Sequence, residues 1–261
     1  MSMWRRKARS WVERLTGHDV IRFGQGSIAF VRRSDREVAW FSYRSQLKHL
    51  LAKTGVDLVL DVGANEGQYA GGLRGDFAGE IISFEPVASA FGRLRTAAAS
   101  APPWRVHNMA LGSHAGTGLM HVSKETKFSS LHAQTPLSGE RFRDAPATVA
   151  DEVVPIRRLD DVLDEAPELA GRRIFLKMDT QGHDLEVFSG AGRWLDNIVL
   201  LQSELSVLPL YDGIEHWTSC LARYEEAGFG VAGMFPICRD GSNRVIEYDC
   251  LMVRSGATRT A

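Results

Sequence analysis

Cysteine is scarce in this chain, and its few cysteines form no recognisable framework. The 261 residues include Cys220, Cys238 and Cys250, which are odd in number and show no C-x-x-C spacing. Disulfide-stabilised secreted domains and zinc sites use paired or regularly spaced cysteines. We therefore expect free, buried thiols in a reducing compartment, with no disulfide framework and no zinc site.

The sequence also lacks a long apolar run and an excess of charge of one sign. No apolar stretch reaches the roughly 18 residues that a membrane-spanning helix requires, and the first residues contain no apolar core of a secretory signal. We therefore expect a cytoplasmic protein. The formal net charge of −1 provides no basic surface to neutralise phosphates, so nucleic acid is not an expected partner.

What the chain does have is enough apolar material for one large α/β domain, since 44% of its residues are hydrophobic. We assign residues 55–261 to this domain and residues 1–54 to an N-terminal extension of helices and a hairpin. The extension begins with Trp4, Trp11 and Leu15 on one helical face among arginines, which predicts a basic amphipathic helix. Packing of this helix onto the domain is the favoured interpretation, and peripheral contact with an anionic membrane or a lipid-linked substrate is the alternative.

Residues 57–69 predict a buried strand, a glycine turn and the start of a helix, with Asp61 near the strand tip. A second predicted strand, residues 81–85, ends in Glu85. In dinucleotide-binding folds an acidic residue at this distance from the glycine turn holds the two ribose hydroxyls. The two segments together therefore predict a site for a nucleotide-like cofactor.

The glycine turn does not fit a cofactor with phosphates. A pyrophosphate site uses G-x-G-x-x-G, whereas here the spacing is Gly63-x-x-x-Gly67 and no P-loop lysine follows. Asp61 and Glu66 are expected to add negative charge near the ligand. S-adenosylmethionine has no phosphate, carries positive charge and keeps both ribose hydroxyls, so it suits such a site better.

Strands and helices alternate along the rest of the chain, which predicts a doubly wound, mostly parallel sheet. The segments 229–237 and 244–253 are joined by a connection too short for a crossover helix, so we expect them to be antiparallel. Residues 117–122 predict an added strand. The polar stretch 123–152 that follows is predicted to be a substrate-covering loop.

Ligands of such sheets bind at the carboxyl ends of the strands. The expected strand ends carry an unusual number of polar or acidic side chains, which are found at Asp61, Glu85, Asn108, Asp179, Ser203 and Glu204.

Several segments of the sequence resemble the FkbM family of S-adenosylmethionine-dependent methyltransferases, in order and spacing, from about residue 45 to 254. The resemblance implies a class I methyltransferase (Rossmann-like) fold, with a seven-stranded sheet whose C-terminal strand is reversed. It also implies O-methylation, often of a sugar hydroxyl on a glycolipid or other secondary metabolite. The segments are VLDVGANEGQY (59–69), SFEP (83–86), NMALG (108–112), SSL (129–131), LKMDTQG (176–182) and QSELSVLPLYDG (202–213).

The resemblance also implies roles for individual residues. Residues 61–69 surround the methionine part of S-adenosylmethionine, Glu85 with Pro86 holds the ribose, and the segment 108–111 lines the adenine, while Asp179 faces the methyl group. The residues assigned to cofactor binding on this basis are Asp61, Gly63, Ala64, Asn65, Gly67, Gln68, Tyr69, Glu85, Pro86, Asn108, Ala110 and Leu111.

A hydroxyl is a poor nucleophile until its proton leaves, so a general base is expected. Asp179 is the first candidate, Glu204 the second and His183 the third, and relatives commonly carry Ala, Phe or Tyr at the position of His183. A divalent metal held by Asp179, Glu204 and Asp249 is an alternative activator, although metal-independent chemistry is our prediction. An NAD-dependent oxidoreductase, a non-catalytic nucleotide-binding module, and N- or C-methylation are the alternative functions.

Overall fold

A computed structural model describes residues 16, 18–23, 27–32, 43–141 and 147–258, so the predicted basic helix near Trp4 and Trp11 lies outside the described residues. The strands are β1 His18–Phe23, β2 Ser27–Arg32, β3 Leu58–Val62, β4 Glu80–Phe84, β5 Trp104–His107, β6 Ala110–Leu111, β7 Gly116–Ser123, β8 Thr148–Arg157, β9 Ile174–Met178, β10 Ile198–Ser206, β11 Phe229–Arg239 and β12 Val245–Arg254. The helices are α1 Tyr43–Thr54, α2 Gln68–Leu73, α3 Ala88–Ala99, α4 Pro136–Arg141, α5 Leu159–Asp164, α6 Asp184–Ser189 and α7 Trp217–Glu226.

Seven strands form the central sheet in the order β11-β12-β10-β9-β3-β4-β5. The strands from β10 to β5 are parallel to one another, and β12 lies antiparallel to both β10 and β11. Every residue of β3 and β9 is buried, as expected for strands covered by helices on both faces. The predicted doubly wound sheet with a reversed C-terminal strand is confirmed.

Two hydrophobic layers cover the two faces of this sheet. One layer packs helices α1, α2 and α3 against residues such as Val59 and Phe175. The other packs α5, α6 and α7 against residues such as Leu60 and Leu176. Alternate residues of a strand point to opposite faces, so one buried strand contributes to both layers.

A smaller sheet, in the order β6-β8-β7, flanks the central one. It confirms the added strand near residues 117–122, but the prediction of a loop as far as residue 152 is wrong. Strand β8 begins at Thr148 and pairs antiparallel with β7, where Leu119 faces Val153. Val153 is exposed and Val154 is buried, so only one face of β8 is covered. A strand with one exposed face has a mixed composition, and that composition led to the loop prediction.

The remaining expectations concern the cysteines and the extension. All three cysteines are free, with Cys220 and Cys250 buried and Cys238 partly buried. Strands β1 and β2 pair antiparallel as the predicted hairpin. Within the described ranges, no helix combines the length and the apolarity needed to cross a membrane.

Candidate active site

A cavity of about 330 Å³ lies beyond the carboxyl ends of β3, β4 and β9. Its lining includes most of the predicted site residues, which are Gly63, Ala64, Asn65, Gln68, Tyr69, Glu85, Pro86, Ala110, Leu111, Asp179 and His183. The lining does not include Asp61, Gly67, Asn108 or Glu204.

The glycine turn brings the end of β3 against the loop that follows β9. Gly63 has a φ of 73°, and a Cβ added there would lie 1.9 Å from the backbone oxygen of Asp179. Its N–H donates to the carbonyl of Phe84 at 3.1 Å, which joins the turn to β4. Only glycine combines this backbone conformation with so close an approach, so Gly63 sets the position of Asp179.

Asp61 is fully buried beneath the cavity rather than exposed in it. Its Oδ1 lies 3.0 Å from the Nζ of Lys177, and its Oδ2 accepts a hydrogen bond from Ser83 at 3.2 Å. The expectation that Asp61 and Glu66 add negative charge near the ligand is therefore wrong. Lys177 neutralises Asp61, and Glu66, which does not line the cavity, forms an ion pair with Arg93 at 2.7 Å.

Lys177 is the cation of the site, although its side chain is only 2% exposed. Its Nζ donates to the carbonyl of Gly63 at 3.3 Å, lies 3.5 Å from the Oδ2 of Asp179, and sits 5.0 Å from the centre of the Tyr69 ring. Burial acts to lower the pKa of Lys177, but Asp61 and Asp179 outweigh burial and hold this pKa above its ordinary value. The lysine therefore stays charged and holds Asp179 electrostatically.

Glu85 presents a carboxylate to the cavity from the end of β4. One oxygen accepts the backbone N–H of Asn65 and the other that of Val87, both at 2.8 Å. Burial raises the pKa of Glu85 to about 7. Each oxygen keeps acceptor capacity beyond its one backbone partner, so the carboxylate can receive ligand hydroxyls.

Asn108 supports this part of the site from outside the cavity. Its side-chain amide donates to the backbone carbonyls of Glu85 and Pro86, both at 2.9 Å. The segment 108–111, predicted to line the adenine, contributes Met109, Ala110 and Leu111 to the cavity wall. The side chain of Asn108 therefore fixes the strand ends, while its neighbours form the apolar wall.

The loop after β9 carries Asp179 into the cavity and is held by Gln181. The Nε2 of Gln181 donates to Asp179 at 3.0 Å and to Glu204 at 2.6 Å, and its Oε1 accepts from Tyr211 at 2.6 Å. Asp179 has a side chain that is 40% exposed. Burial and then Asp179, Glu247 and Asp249 raise the pKa of Glu204 well above its ordinary value.

Asp184 ties the same loop to β10. Its Oδ1 accepts from the backbone N–H and the hydroxyl of Thr180, at 2.9 and 2.5 Å. Its Oδ2 accepts from the hydroxyl of Ser203 and the N–H of Glu204, at 2.8 and 3.0 Å. This buried carboxylate fixes the loop and is not part of the cavity lining.

Part of the segment that follows β7 forms one wall of the cavity. The hydroxyl of Thr126 donates to the side-chain oxygen of Asn65 at 2.8 Å, and the hydroxyl of Ser130 donates to the carbonyl of Gln181 at 2.7 Å. These bonds join the segment to both sides of the site. Its residues in the lining are Thr126, Lys127, Ser129 and Leu131.

His183 closes the wall at the start of α6. Burial, followed by the neighbouring His132, lowers the pKa of His183 to about 4. Its Nδ1 lies 3.3 Å from the Nε2 of His132. His183 is therefore a neutral imidazole near pH 7.

Asp249, proposed as a possible metal ligand, takes part in a network behind the cavity. It accepts from the Nε2 of Gln202 at 2.8 Å, and the Oε1 of Gln202 accepts from Tyr43 and Tyr69 at 2.6 and 2.9 Å. Burial raises the pKa of Asp249 to about 6. In the part of the chain that the structure describes, no three His, Cys, Asp or Glu side chains are grouped to hold a metal ion.

Sequence reasoning missed Lys177 and Gln181, although both lie in the quoted segment 176–182. A lysine in a strand as apolar as β9 was a usable signal, because a buried ammonium group requires a buried counter-charge. No comparable signal marks Gln181, whose role depends on its φ of 55° and on partners distant in sequence.

Comparisons with known proteins place this site in a family. A search among curated proteins finds no match. Solved structures that the search returns include fibrillarin from Aeropyrum pernix with natively bound S-adenosyl-L-methionine, at 12% identity and a TM-score of 0.44, covering 91% of this chain and 83% of that one. Magnesium protoporphyrin IX methyltransferase from Synechocystis PCC 6803 with bound S-adenosylmethionine has 12% identity and a TM-score of 0.44, covering 97% and 91%. At this identity and TM-score, the likeness indicates neither the acceptor nor any other property of this chain.

The family comparison is more specific. The profile described as "Methyltransferase FkbM domain" matches residues 61–230, which is well over half of the chain. The match spans the glycine turn, Glu85 and the loop that carries Asp179. It confirms the resemblance drawn from the sequence and favours a methyltransferase over an oxidoreductase. The chain belongs to the FkbM family of S-adenosylmethionine-dependent methyltransferases.

Proposed function

We propose that this protein transfers a methyl group from S-adenosylmethionine to a hydroxyl oxygen, most simply one on a sugar of a glycolipid or secondary metabolite. Family membership supports the donor. The placement of Asp179 in the cavity wall carries the assignment of the acceptor, because a partly exposed carboxylate beside the donor site can take the proton of a hydroxyl.

The cavity fits the donor in its charge and its hydrogen-bonding groups. Glu85 offers acceptor oxygens for two ribose hydroxyls. Of the lining residues, Lys127 and Lys177 are the cations, and Lys177 is committed to Asp61. A dinucleotide would need more donors and cations for its phosphates. When bound, S-adenosylmethionine supplies an electrophilic methyl group on a positively charged sulfur.

Asp179 is the group best placed to act as the base. Gln181 fixes its Oδ1 and Lys177 lies beside its Oδ2, so the carboxylate keeps one orientation. In the transfer, Asp179 would take the hydroxyl proton as the carbon–oxygen bond forms and the methyl–sulfur bond breaks, with the electron pair of that bond left on the sulfur of departing S-adenosylhomocysteine. A fixed base and a fixed acceptor oxygen reduce the entropic cost of aligning the displacement.

The two other base candidates fit less well. Glu204 does not line the cavity, accepts a hydrogen bond from Gln181, and has a raised pKa that favours its protonated form. His183 lines the cavity, but its imidazole is held by one hydrogen bond, to His132, whereas Gln181 and Lys177 both fix Asp179. The geometry thus supports the order Asp179, His183, Glu204.

The proposal is tested by giving purified protein labelled S-adenosylmethionine and a glycolipid and metabolite extract from a strain that lacks the gene. We expect one labelled methyl ether, located by mass spectrometry. The Asp179→Asn variant should lose about 10²–10⁴-fold in turnover while it binds S-adenosylhomocysteine normally. Asp161→Asn, an exposed change on α5, is the control. A methyl group found on nitrogen or carbon would overturn O-methylation, and normal turnover by Asp179→Asn would overturn the role of Asp179.

A further inference from the structure

Two histidines and a backbone carbonyl form a chain of hydrogen bonds that ends at the cavity. The Nδ1 of His132 lies 3.1 Å from the backbone oxygen of Asp212. The Nε2 of His132 lies 3.3 Å from the Nδ1 of His183, and the two ring centres are 5.5 Å apart. His183 lines the cavity, whereas His132 does not.

The positions of the protons in this chain follow from the groups themselves. A carbonyl oxygen only accepts, so the Nδ1 of His132 carries a proton. Burial lowers the pKa of both imidazoles, which are therefore neutral near pH 7. Because the Nε2 of neutral His132 then has no proton, it accepts, and the Nδ1 of His183 donates. The Nε2 of His183 is consequently left without a proton.

This nitrogen belongs to a side chain that lines the cavity, and it is free to accept a hydrogen bond. Among the described residues none forms a hydrogen bond with the Nε2 of His183. A fully buried nitrogen without a partner would count as an unsatisfied buried polar atom, and this nitrogen is not one of them, so it is not fully buried. A Cβ added at Gly112 would lie 3.2 Å from it. Since residue 112 is a glycine, no side chain occupies that space.

The charged groups around the pair leave this arrangement intact. Glu186, on the helix that begins directly after His183, acts to raise both pKa values, while His114 acts to lower the pKa of His183 and His121 that of His132. Burial outweighs Glu186 in both cases.

We propose that His132 is a positioning residue which fixes the tautomer of His183, so that the unprotonated Nε2 of His183 accepts a hydrogen bond from the methyl acceptor. The cavity wall then contains two groups that accept from hydroxyls, the Asp179 carboxylate and this nitrogen. One hydroxyl hydrogen can satisfy one of them, so the pair fits an acceptor with at least two hydroxyls, as a sugar has. This last step rests on the proposed function.

The tautomer can be measured without any acceptor. Protein labelled with ¹⁵N-histidine and bound to S-adenosylhomocysteine is examined near pH 7.5 by long-range ¹H–¹⁵N correlation spectra. The signals are assigned with variants in which one histidine at a time is replaced. We expect a proton on the Nδ1 of His183 and none on its Nε2. In His132→Phe the proton should move to the Nε2 of His183, whereas His216→Phe, a change at the start of α7, should leave it in place.

Two spectroscopic results would overturn the proposal. One is a proton on the Nε2 of His183 in the unmodified protein, which decides the question even if His132→Phe does not fold. The other is an unchanged His183 tautomer in folded His132→Phe. Neither depends on whether the protein methylates oxygen.

The methyl acceptor found by the extract experiment provides a second readout. His132→Phe should raise the KM for that acceptor roughly tenfold, the effect of one lost hydrogen bond, and should change kcat less. Asp179→Asn should show the opposite pattern. An unchanged KM in His132→Phe would refute the link between tautomer and acceptor binding.

Discussion

At the scale of single residues, Glu85 is the residue whose role in cofactor binding follows most directly from the sequence. Replacing it with alanine removes the carboxylate proposed to hold two ribose hydroxyls, and charged hydrogen bonds are worth about 1.5–3 kcal/mol each. We expect Glu85→Ala to weaken S-adenosylhomocysteine binding about 100-fold or more, measured by titration calorimetry. Glu66→Ala, in the same turn but paired with Arg93, should bind normally. Equal affinity of Glu85→Ala and the unmodified protein would refute the ribose assignment.

The raised pKa of Glu85, about 7 against an ordinary 4.5, gives a pH dependence. The ionised carboxylate is the better acceptor for ribose, and at pH 6 only about a tenth of it is ionised. Affinity for S-adenosylhomocysteine should therefore rise up to about tenfold between pH 6 and pH 8. Glu85→Gln should remove this rise, which separates Glu85 from Glu247 and Asp249, whose pKa values are about 7 and about 6. A rise that persists in Glu85→Gln would assign it to another group.

The same shift affects folding in the opposite direction. Between about pH 4.5 and pH 7 the folded protein keeps the Glu85 proton, whereas the unfolded chain releases it. The folded state thus binds more protons, and the contribution of Glu85 to stability is lost as the pH rises through this range.

Individual residues were predictable where a strand end fixes them. Glu85 and Asp179 follow strands whose apolar pattern is clear, so their place at the cavity could be derived. The burial of Asp61 could not, because it depends on Lys177, which lies 116 positions later in the sequence and opposite Asp61 in the pairing of β3 with β9. Tautomers such as that of His183 depend on three separate segments and have no local signal.

At the scale of elements, the turn between β3 and α2 determines where the loop after β9 lies. A methyl group at Gly63 would overlap the backbone of Asp179, and a residue with a side chain is strained at this φ. Gly63→Ala should therefore lower the free energy of unfolding by roughly 3 kcal/mol, as measured in urea. Gly92→Ala in α3, where the space is open, should be neutral or stabilising by up to about 1 kcal/mol. Equal stability of the two variants would contradict the close approach.

The elements themselves were predicted best where both faces of a strand are buried. The apolar segments of β3, β4 and β9 and the helices between them could be derived from pattern alone. Strand β8 could not be derived in this way, because Val149 and Val153 alternate with polar residues on its solvent-exposed face. Its pairing with β7 is a contact between segments and is not encoded in either one.

At the scale of the whole molecule, strand–helix alternation predicts that the central strands are parallel, and the short C-terminal connection predicts that β11 and β12 are antiparallel. The charges within that sheet do not follow from this pattern. Lys177 and Asp61 are opposite each other on adjacent central strands, with side chains 2% and 0% exposed, so folding must bring both charges out of water together. The lysine of this ion pair also contacts the carbonyl of Gly63 and the carboxylate of Asp179. The site is therefore joined directly to the buried core.

This arrangement predicts that removing one charge lowers the free energy of unfolding strongly, and that removing the second charge as well restores most of it. Lys177→Met leaves Asp61 as a buried, unpaired carboxylate, and breaking a buried pair in this way costs about 3–5 kcal/mol. We expect that loss in the free energy of unfolding in urea. Because Asp61→Asn combined with Lys177→Met removes both charges and keeps an acceptor for Ser83, the double variant should recover most of the loss. If the double variant is no more stable than Lys177→Met alone, the unpaired charge is not the cause. Arg193→Met, whose side chain is 73% exposed, provides the control and should lose at most about 1 kcal/mol.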